Sequence, residues 1–303
     1  MKIVVSGASG LLGSAVVKSL TLQGHAVAPL VRRPVAAGEP AVAWDPERGT
    51  IDRAGLEGVG AVIHLAGENV FGRWSAAKKR RIRDSRVQGT RLLCDALAGL
   101  HRRPAVLLAA SAVGYYGDRG EEAVTEESAP GEDFMAHVSR DWEAATAPAT
   151  HAGIRVVNMR IGVVLTTTGG ALAKMLPAFR LGLGGPIGSG DQYLSWIVLE
   201  DIVNAMLHVL NNQQLVGPVN LTAPAPVTNR DFARTLGSVL HRPAVITVPV
   251  LALRALFGTD SAALLQSGQR VLPARLVASG FGFAFKDVEQ ALRSLLAPSE
   301  RAR

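Results

Sequence analysis

The first 34 residues, MKIVVSGASGLLGSAVVKSLTLQGHAVAPLVRRP, constrain this chain more than any other stretch. Ile3-Val4-Val5 read as a strand, and Leu11, Leu12, Ala15, Val16 and Leu20 recur at helical spacing. Between them stand Gly7, Gly10 and Gly13, spaced G-x-x-G-x-x-G, and a second apolar strand, His25–Val31, follows. Each glycine has a mechanical task at such a corner. The first permits a tight turn, the second lets backbone approach a pyrophosphate, and the third lets the helix lie close on the sheet. The free N–H groups and positive dipole end of the helix then face the phosphates. A glycine triplet alone is weak evidence of a dinucleotide site; inside a complete strand–helix–strand unit it is strong.

The end of the second strand indicates which dinucleotide. NAD-binding units place an acid there for the ribose 2′-hydroxyl, whereas NADP-binding units place an arginine for the 2′-phosphate. Here the strand ends in Arg32-Arg33-Pro34, with no carboxylate before Glu39. A guanidinium holds a phosphate through paired, charge-assisted hydrogen bonds, each contributing roughly 1.5–3 kcal/mol. NADP(H) is therefore expected in preference to NAD(H).

The 303 residues are 48% hydrophobic, enough for one nucleotide-binding domain and a smaller lobe. The single cysteine, Cys94, excludes an intrachain disulfide framework. With no signal-peptide pattern and no long apolar window, the expectation is a soluble, cytoplasmic protein. A net charge of +7 raises nucleic acid as a partner, with Lys78-Lys79-Arg80-Arg81-Ile82-Arg83 as the obvious cluster. That run lies in a predicted helix, about 75–100, whose other face carries Ile82, Leu92, Leu93, Leu97 and Leu100. No aromatic residues interleave with the cations, so nucleic acid is not the expected partner.

Strand and helix patterns alternate onward. Strands are expected at Ala41–Trp44, Ala61–Leu65, Ala105–Ala110 and Ile154–Met159, with a helix over Phe134–Thr146. This alternation predicts an α/β fold with a doubly wound parallel sheet, its ligand at the carboxyl ends of the strands. Residues 1–165 form the expected dinucleotide-binding domain. Residues 166–303 form a smaller, mostly helical substrate lobe with strands available to rejoin the sheet. Its expected helices are Leu199–Leu210, Asn229–Leu240, Val250–Phe257, Ala262–Gln269 and Val288–Leu296, with a strand near Val219–Leu221.

SGASGLLG, HLAG at 64–67, SAVGYYGD at 111–118 and DWEAA at 141–145 together resemble the extended short-chain dehydrogenase/reductases. RIGVVL (160–165), GLGGPIGSG (182–190), SWI (195–197) and GQRVLP (268–273) narrow the likeness. They are similar to an atypical subgroup of NAD-dependent epimerase/dehydratase-like proteins, some carrying a "cell division inhibitor" label. The resemblance implies a Rossmann domain, NADP(H) as ligand, and no firmly established physiological substrate. Carried over by position, Ser6, Gly7, Ala8, Ser9, Gly10, Leu11, Leu12 and Gly13 surround the pyrophosphate. Arg32 and Arg33 hold the adenosine phosphate, and Leu65, Ala66 and Gly67 pass beneath the adenine ribose. Arg86 stands where extended members commonly have asparagine, within reach of the phosphates or as one more solvated arginine. Gly162 and Val163 lie near the nicotinamide.

The resemblance also exposes a gap. Short-chain dehydrogenases use Tyr-x-x-x-Lys on one helix, the lysine lowering the phenol pKa. Aligning Trp142-Glu143 with the family's glutamate puts Met135 and Ser139 at those two positions, and neither performs those roles. Ser111 is the candidate hydroxyl, with Ala112 taking its place if the register slips by one residue. Tyr115 and Tyr116 are the candidate proton donors. No histidine pair has the close spacing of a helical metal site, and no metal is expected. Two readings result. The first is an NADP(H)-dependent oxidoreductase or epimerase-like enzyme on a small carbonyl or hydroxyl compound. The second is a non-catalytic NADP(H)-binding sensor. A homodimer is compatible with either.

Overall fold

The computed structural model of the chain describes residues 1–297. Parallel strands β1 (Lys2–Ser6), β2 (Ala26–Val31), β3 (Val42–Asp45), β4 (Ala61–His64), β5 (Val106–Ala112), β6 (Arg155–Ile161) and β7 (Gly217–Leu221) build an eight-stranded sheet. The eighth strand, Thr50–Ile51, runs antiparallel at the edge beside β3. The order is β7-β6-β5-β4-β1-β2-β3, so the winding reverses between β1 and β4. Such a reversal leaves a crevice beyond the carboxyl ends of those two strands.

The strands are apolar on both faces because both are covered. Ile3 and Val5 pack with Val16 and Leu20 of α1 (Leu11–Leu22). Val4, one residue out of phase, packs with Leu93 and Leu97 of α2 (Ala76–Ala98) on the other face. Each buried side chain of this size contributes about 1.5–3 kcal/mol. α3 (Phe134–Ala144) lies beside α2, and α4 (Leu199–Asn211) adds Ile202 and Met206 to the Ile3 cluster. β7 comes from residues 217–221 yet pairs in parallel with β6, Val219 opposite Met159. A separate apolar core of Leu172, Phe179, Trp196, Phe232, Leu236 and Leu292 organises the helical C-terminal region. Among the described residues, no helix is long and apolar enough to cross a membrane.

One buried chain of hydrogen bonds ties these layers together. The Ser6 hydroxyl accepts from the backbone N–H groups of Leu65 (3.0 Å) and Ala66 (3.1 Å). With both lone pairs used, its proton goes to His64 Nδ1 at 2.7 Å. His64 Nε2–H then donates to Thr90 Oγ1 at 3.0 Å, which also accepts from Trp142 Nε1 at 2.9 Å. β1, β4, α2 and α3 are thereby joined through one imidazole. Burial holds that imidazole neutral and pulls its pKa down to about 4.

A neutral-only histidine makes stability depend on pH. The unfolded chain begins to bind this proton below the ordinary value of 6.5, while the folded protein refuses it down to about 4. Stability from this site is therefore complete above pH 6.5 and falls by roughly 3 kcal/mol on acidification to pH 4. In urea titrations, the stability difference between wild type and His64→Gln should shrink by that amount over this window. A constant difference would mean the imidazole is not held neutral.

Candidate functional site

The opening corner is tightly built. Gly7 has φ +66°, and a Cβ there would sit 2.9 Å from the Leu65 carbonyl carbon. A Cβ on Gly13 would lie 2.1 Å from the Gly7 carbonyl oxygen, a collision with backbone. The Gly10 N–H donates to that same oxygen at 2.9 Å, closing the turn through Ala8 and exposed Ser9. The first helical bond runs from the Ser14 N–H to the Gly10 carbonyl. The N–H groups of Leu11, Leu12 and Gly13 therefore precede the helical ladder and are available to an anion. Ser6 belongs to this corner as its anchor. Its fully buried hydroxyl fixes the Leu65-Ala66 backbone and does not project into the crevice.

The two arginines after β2 have different surroundings. Arg32 is exposed and forms no hydrogen bond or ion pair among the described residues. Arg33 is clamped by Glu39, Nη1 to Oε2 at 3.0 Å, with Nη2 on the other carboxylate oxygen. The guanidinium, chiefly by hydrogen bonding, holds the Glu39 carboxyl at a pKa of about 2. The carboxylate that looked distant in sequence thus occupies one member of the pair.

Across the crevice, Arg86 reaches back from α2 beneath Gly67. Its Nη1 donates to the carbonyls of Glu68 (3.0 Å) and Ile82 (3.1 Å), and its guanidinium lies on the Trp142 ring, 5.0 Å from the centroid. Burial lowers its pKa to about 10, opposed by the charge of Glu68. It is not a solvated arginine. The neighbouring basic run is largely neutralised within the chain: Lys78 by Glu68 (2.7 Å), Lys79 by Asp260 (2.5 Å) and Arg83 by Asp141 (3.2 Å). At the end of β6, a Cβ on Gly162 would lie 2.5 Å from the Ser195 carbonyl oxygen, and Val163 N–H donates to that oxygen at 2.8 Å. Both residues fasten the sheet to the strand Trp196–Val198.

The three catalytic candidates separate clearly. Ser111 is buried and donates to Glu143 Oε1 at 2.6 Å. Glu143 holds Arg160 bidentately, at 2.8 and 2.9 Å. Arg160 Nη1 donates to the Tyr116 oxygen at 2.9 Å, and the Tyr116 hydroxyl donates to Asn220 Oδ1 at 2.7 Å. Tyr116 is fully buried, and burial pushes its pKa up to about 12 despite Arg160 and Asn220. Burial works against the charge of Arg160, but the Glu143 carboxylate outweighs it and raises its pKa. In this structure the hydroxyl proton of Ser111 goes to Glu143 and that of Tyr116 to Asn220. Ala112, on the opposite face of β5, is the partly exposed residue there. Tyr115 differs. It is half-buried, its ring lies 3.5 Å from the Arg160 guanidinium carbon, and its hydroxyl bonds to no described residue.

Sequence reasoning passed over Glu143, Arg160 and Asn220. A signal existed in Arg160, a charge flanked by Met159 and Ile161 within a strand, because a buried arginine requires a partner.

Comparison with known proteins identifies the family. Residues 3–221 match the model of the NAD dependent epimerase/dehydratase family, and residues 248–295 match a domain of unknown function, DUF1731. An epimerase family protein of Mycobacterium bovis is 44% identical over 96% of both chains. The crystal structure of human epimerase family protein SDR39U1 with NADPH superposes with a TM-score of 0.89 at 35% identity, covering 97% of this chain and 99% of that one. UDP-N-acetylglucosamine 4-epimerase from Bacillus cereus, at 17% identity and a TM-score of 0.75 over 97% of this chain and 98% of that one, shares the fold. The chain belongs to the NAD dependent epimerase/dehydratase family, as an atypical extended short-chain dehydrogenase/reductase.

Proposed function

We propose that this chain is an NADP(H)-dependent oxidoreductase or epimerase-like enzyme acting on a small carbonyl or hydroxyl compound, without the usual Tyr-x-x-x-Lys pair. The observation that carries the coenzyme choice is Arg32, exposed at the end of β2 with no internal partner and no acid in the position that would select a ribose hydroxyl. The glycine corner fits a dinucleotide: with no Cβ at Gly7 or Gly13 to strike the Leu65 and Gly7 backbone, α1 seats against the turn and leaves its first N–H groups for an anion. Leu11, Leu12 and Gly13 present backbone N–H groups to the pyrophosphate, with Ala8, Ser9 and Gly10 forming the turn around it. Leu65, Ala66 and Gly67 line the adenosine side, and Arg32 binds the 2′-phosphate with Arg33 beside it. Gly162 and Val163 border the nicotinamide end. That NADPH accompanies human SDR39U1 in its crystal structure supports this reading.

A nicotinamide coenzyme bound there supplies or accepts a hydride. The protein's task is the matching proton. Of the three hydroxyl candidates, Tyr115 alone keeps its phenol unengaged, and the Arg160 guanidinium against its ring fixes its position. Ser111, Glu143, Arg160, Tyr116 and Asn220 then act as the frame that holds Tyr115, while the Tyr115 oxygen holds and transfers the proton.

Two experiments test these assignments. In fluorescence titrations, Arg32→Ala should weaken NADPH binding about 10–100-fold and NADH binding by less than about threefold; equal losses would refute the 2′-phosphate role. Stereospecifically deuterated NADPH, screened against a panel of carbonyl compounds, should transfer label in a substrate-dependent manner. Tyr115→Phe should cut that transfer by about 10²–10⁴-fold while NADPH affinity stays within about twofold. Tight NADPH binding with no label transfer across the panel would instead favour the sensor reading.

A further inference from the structure

One contact joins the two sides of the crevice. α1 packs on one face of the sheet and α2 on the other. The crevice therefore opens between the start of α1 and the loop 65–75, which leads from β4 into α2. The Lys174 Nζ lies 3.1 Å from the centroid of the Phe71 ring. Phe71 belongs to that loop, whereas Lys174 comes from the helix Gly170–Arg180, on the α1 side.

The local packing fixes both ends. A Cβ on Gly169 would lie 3.1 Å from a Leu11 methyl carbon, and one on Gly170 3.6 Å from the other. Leu11 is the first residue of α1, so the helix Gly170–Arg180 begins against the α1 N-terminus. Lys174 stands one turn after Gly170 on the same face, while Leu172 and Leu176 turn the opposite way into the C-terminal core. On the far side, the Phe71 N–H donates to Asn69 Oδ1 at 2.8 Å, and the Ser261 hydroxyl holds the Gly72 carbonyl at 2.7 Å. A side chain that starts beside Leu11 and ends on Phe71 spans the gap between the α1 N–H groups and the loop. The diphosphate of a coenzyme seated on α1 would lie beneath it.

Charge points the same way. The first turn of α1, Leu11-Leu12-Gly13-Ser14, offers the diphosphate backbone N–H groups and no cation. Across the crevice Arg86 has given Nη1 to two carbonyls. Lys174 is exposed and forms no hydrogen bond or ion pair among the described residues. A ring face holds an exposed ammonium more weakly than a phosphate does. We propose that Lys174 binds the coenzyme diphosphate from above, and that with Phe71 it forms a strap that opens to admit the coenzyme and closes over it. The inference rests on the coenzyme reading above and brings a residue of the C-terminal region into that site.

The test titrates three ligands: NADPH; 2′-phospho-ADP-ribose, which has the diphosphate but no nicotinamide; and adenosine 2′-phosphate, which has no phosphate on its 5′ oxygen. Lys174→Met should weaken the first two alike, about 10–100-fold, and leave the third within about twofold. Lys174→Arg keeps the charge and should hold NADPH affinity within about threefold. In stopped-flow displacement, Phe71→Ala should speed NADPH release about two- to fivefold. Equal losses for all three ligands in Lys174→Met would mean that the residue acts through the fold or the overall charge, and would overturn the assignment. No loss for any of them would overturn it too, as would a loss in Lys174→Arg as large as that in Lys174→Met. Unchanged release from Phe71→Ala would overturn the strap. If wild type binds none of the three, the coenzyme reading itself fails, an outcome distinct from tight binding that ignores Lys174.

Discussion

The architecture depends on one contact, the approach of Gly13 to the carbonyl of Gly7. A Cβ in that gap would stand 2.1 Å from the oxygen, so the first turn of α1 can rest on the turn it leaves only if residue 13 has no side chain. That seating determines where the N–H groups of Leu11, Leu12 and Gly13 point. It also lets Gly7 come within van der Waals reach of Leu65, at the end of the neighbouring strand. Ser6 secures the same junction from below by occupying both the Leu65 and Ala66 N–H groups. The switch point is thus defined by steric fit and a satisfied buried hydroxyl, and the anion-binding geometry follows from them.

A second constraint operates under the reaction rim. Arg160 and Glu143 form a buried ion pair, and such pairs are tolerated only when their remaining donors and acceptors are also met. Ser111, Tyr116 and Asn220 meet them, so the hydroxyl protons of Ser111 and Tyr116 are already given to partners inside the protein. The network extends to the C-terminal region, since Asn220 Nδ2 donates to the Leu272 carbonyl and the Asn220 N–H reaches Glu126 Oε1. The polar cluster therefore fastens β7, β6 and α3 around Tyr115. Rigidity here and freedom at Tyr115 are two consequences of one arrangement.

How far the sequence reveals this depends on the range of each interaction. The parallel strands and the helices between them were legible because burial on both faces leaves continuous apolar runs with glycine corners. The strand Ala123–Val124 was not, because it exists only by pairing with Arg270–Val271, some 150 residues away. The helix expected at Ala262–Gln269 starts instead at Thr259, directly after Gly258 in a left-handed conformation (φ +81°) that ends the preceding helix. At the site, the glycines and Arg32 could be read from local spacing. The pairing of Arg33 with Glu39, and of Ser111 with Glu143, could not, since each depends on how the chain returns in space.

The two arginines facing the crevice show why charge alone is a poor guide to a binding site. Arg32 is hydrated, so the free protein bears no cost in keeping it unpaired, and a phosphate gains by replacing its water. Arg86 has lost much of its water and keeps a donor idle, so the folded protein is less stable than it would be with an apolar residue of similar shape. A fold retains such a defect when something else repairs it. Two carbonyls and the Trp142 face hold the guanidinium in place, while its Nε is left without an acceptor among the described residues.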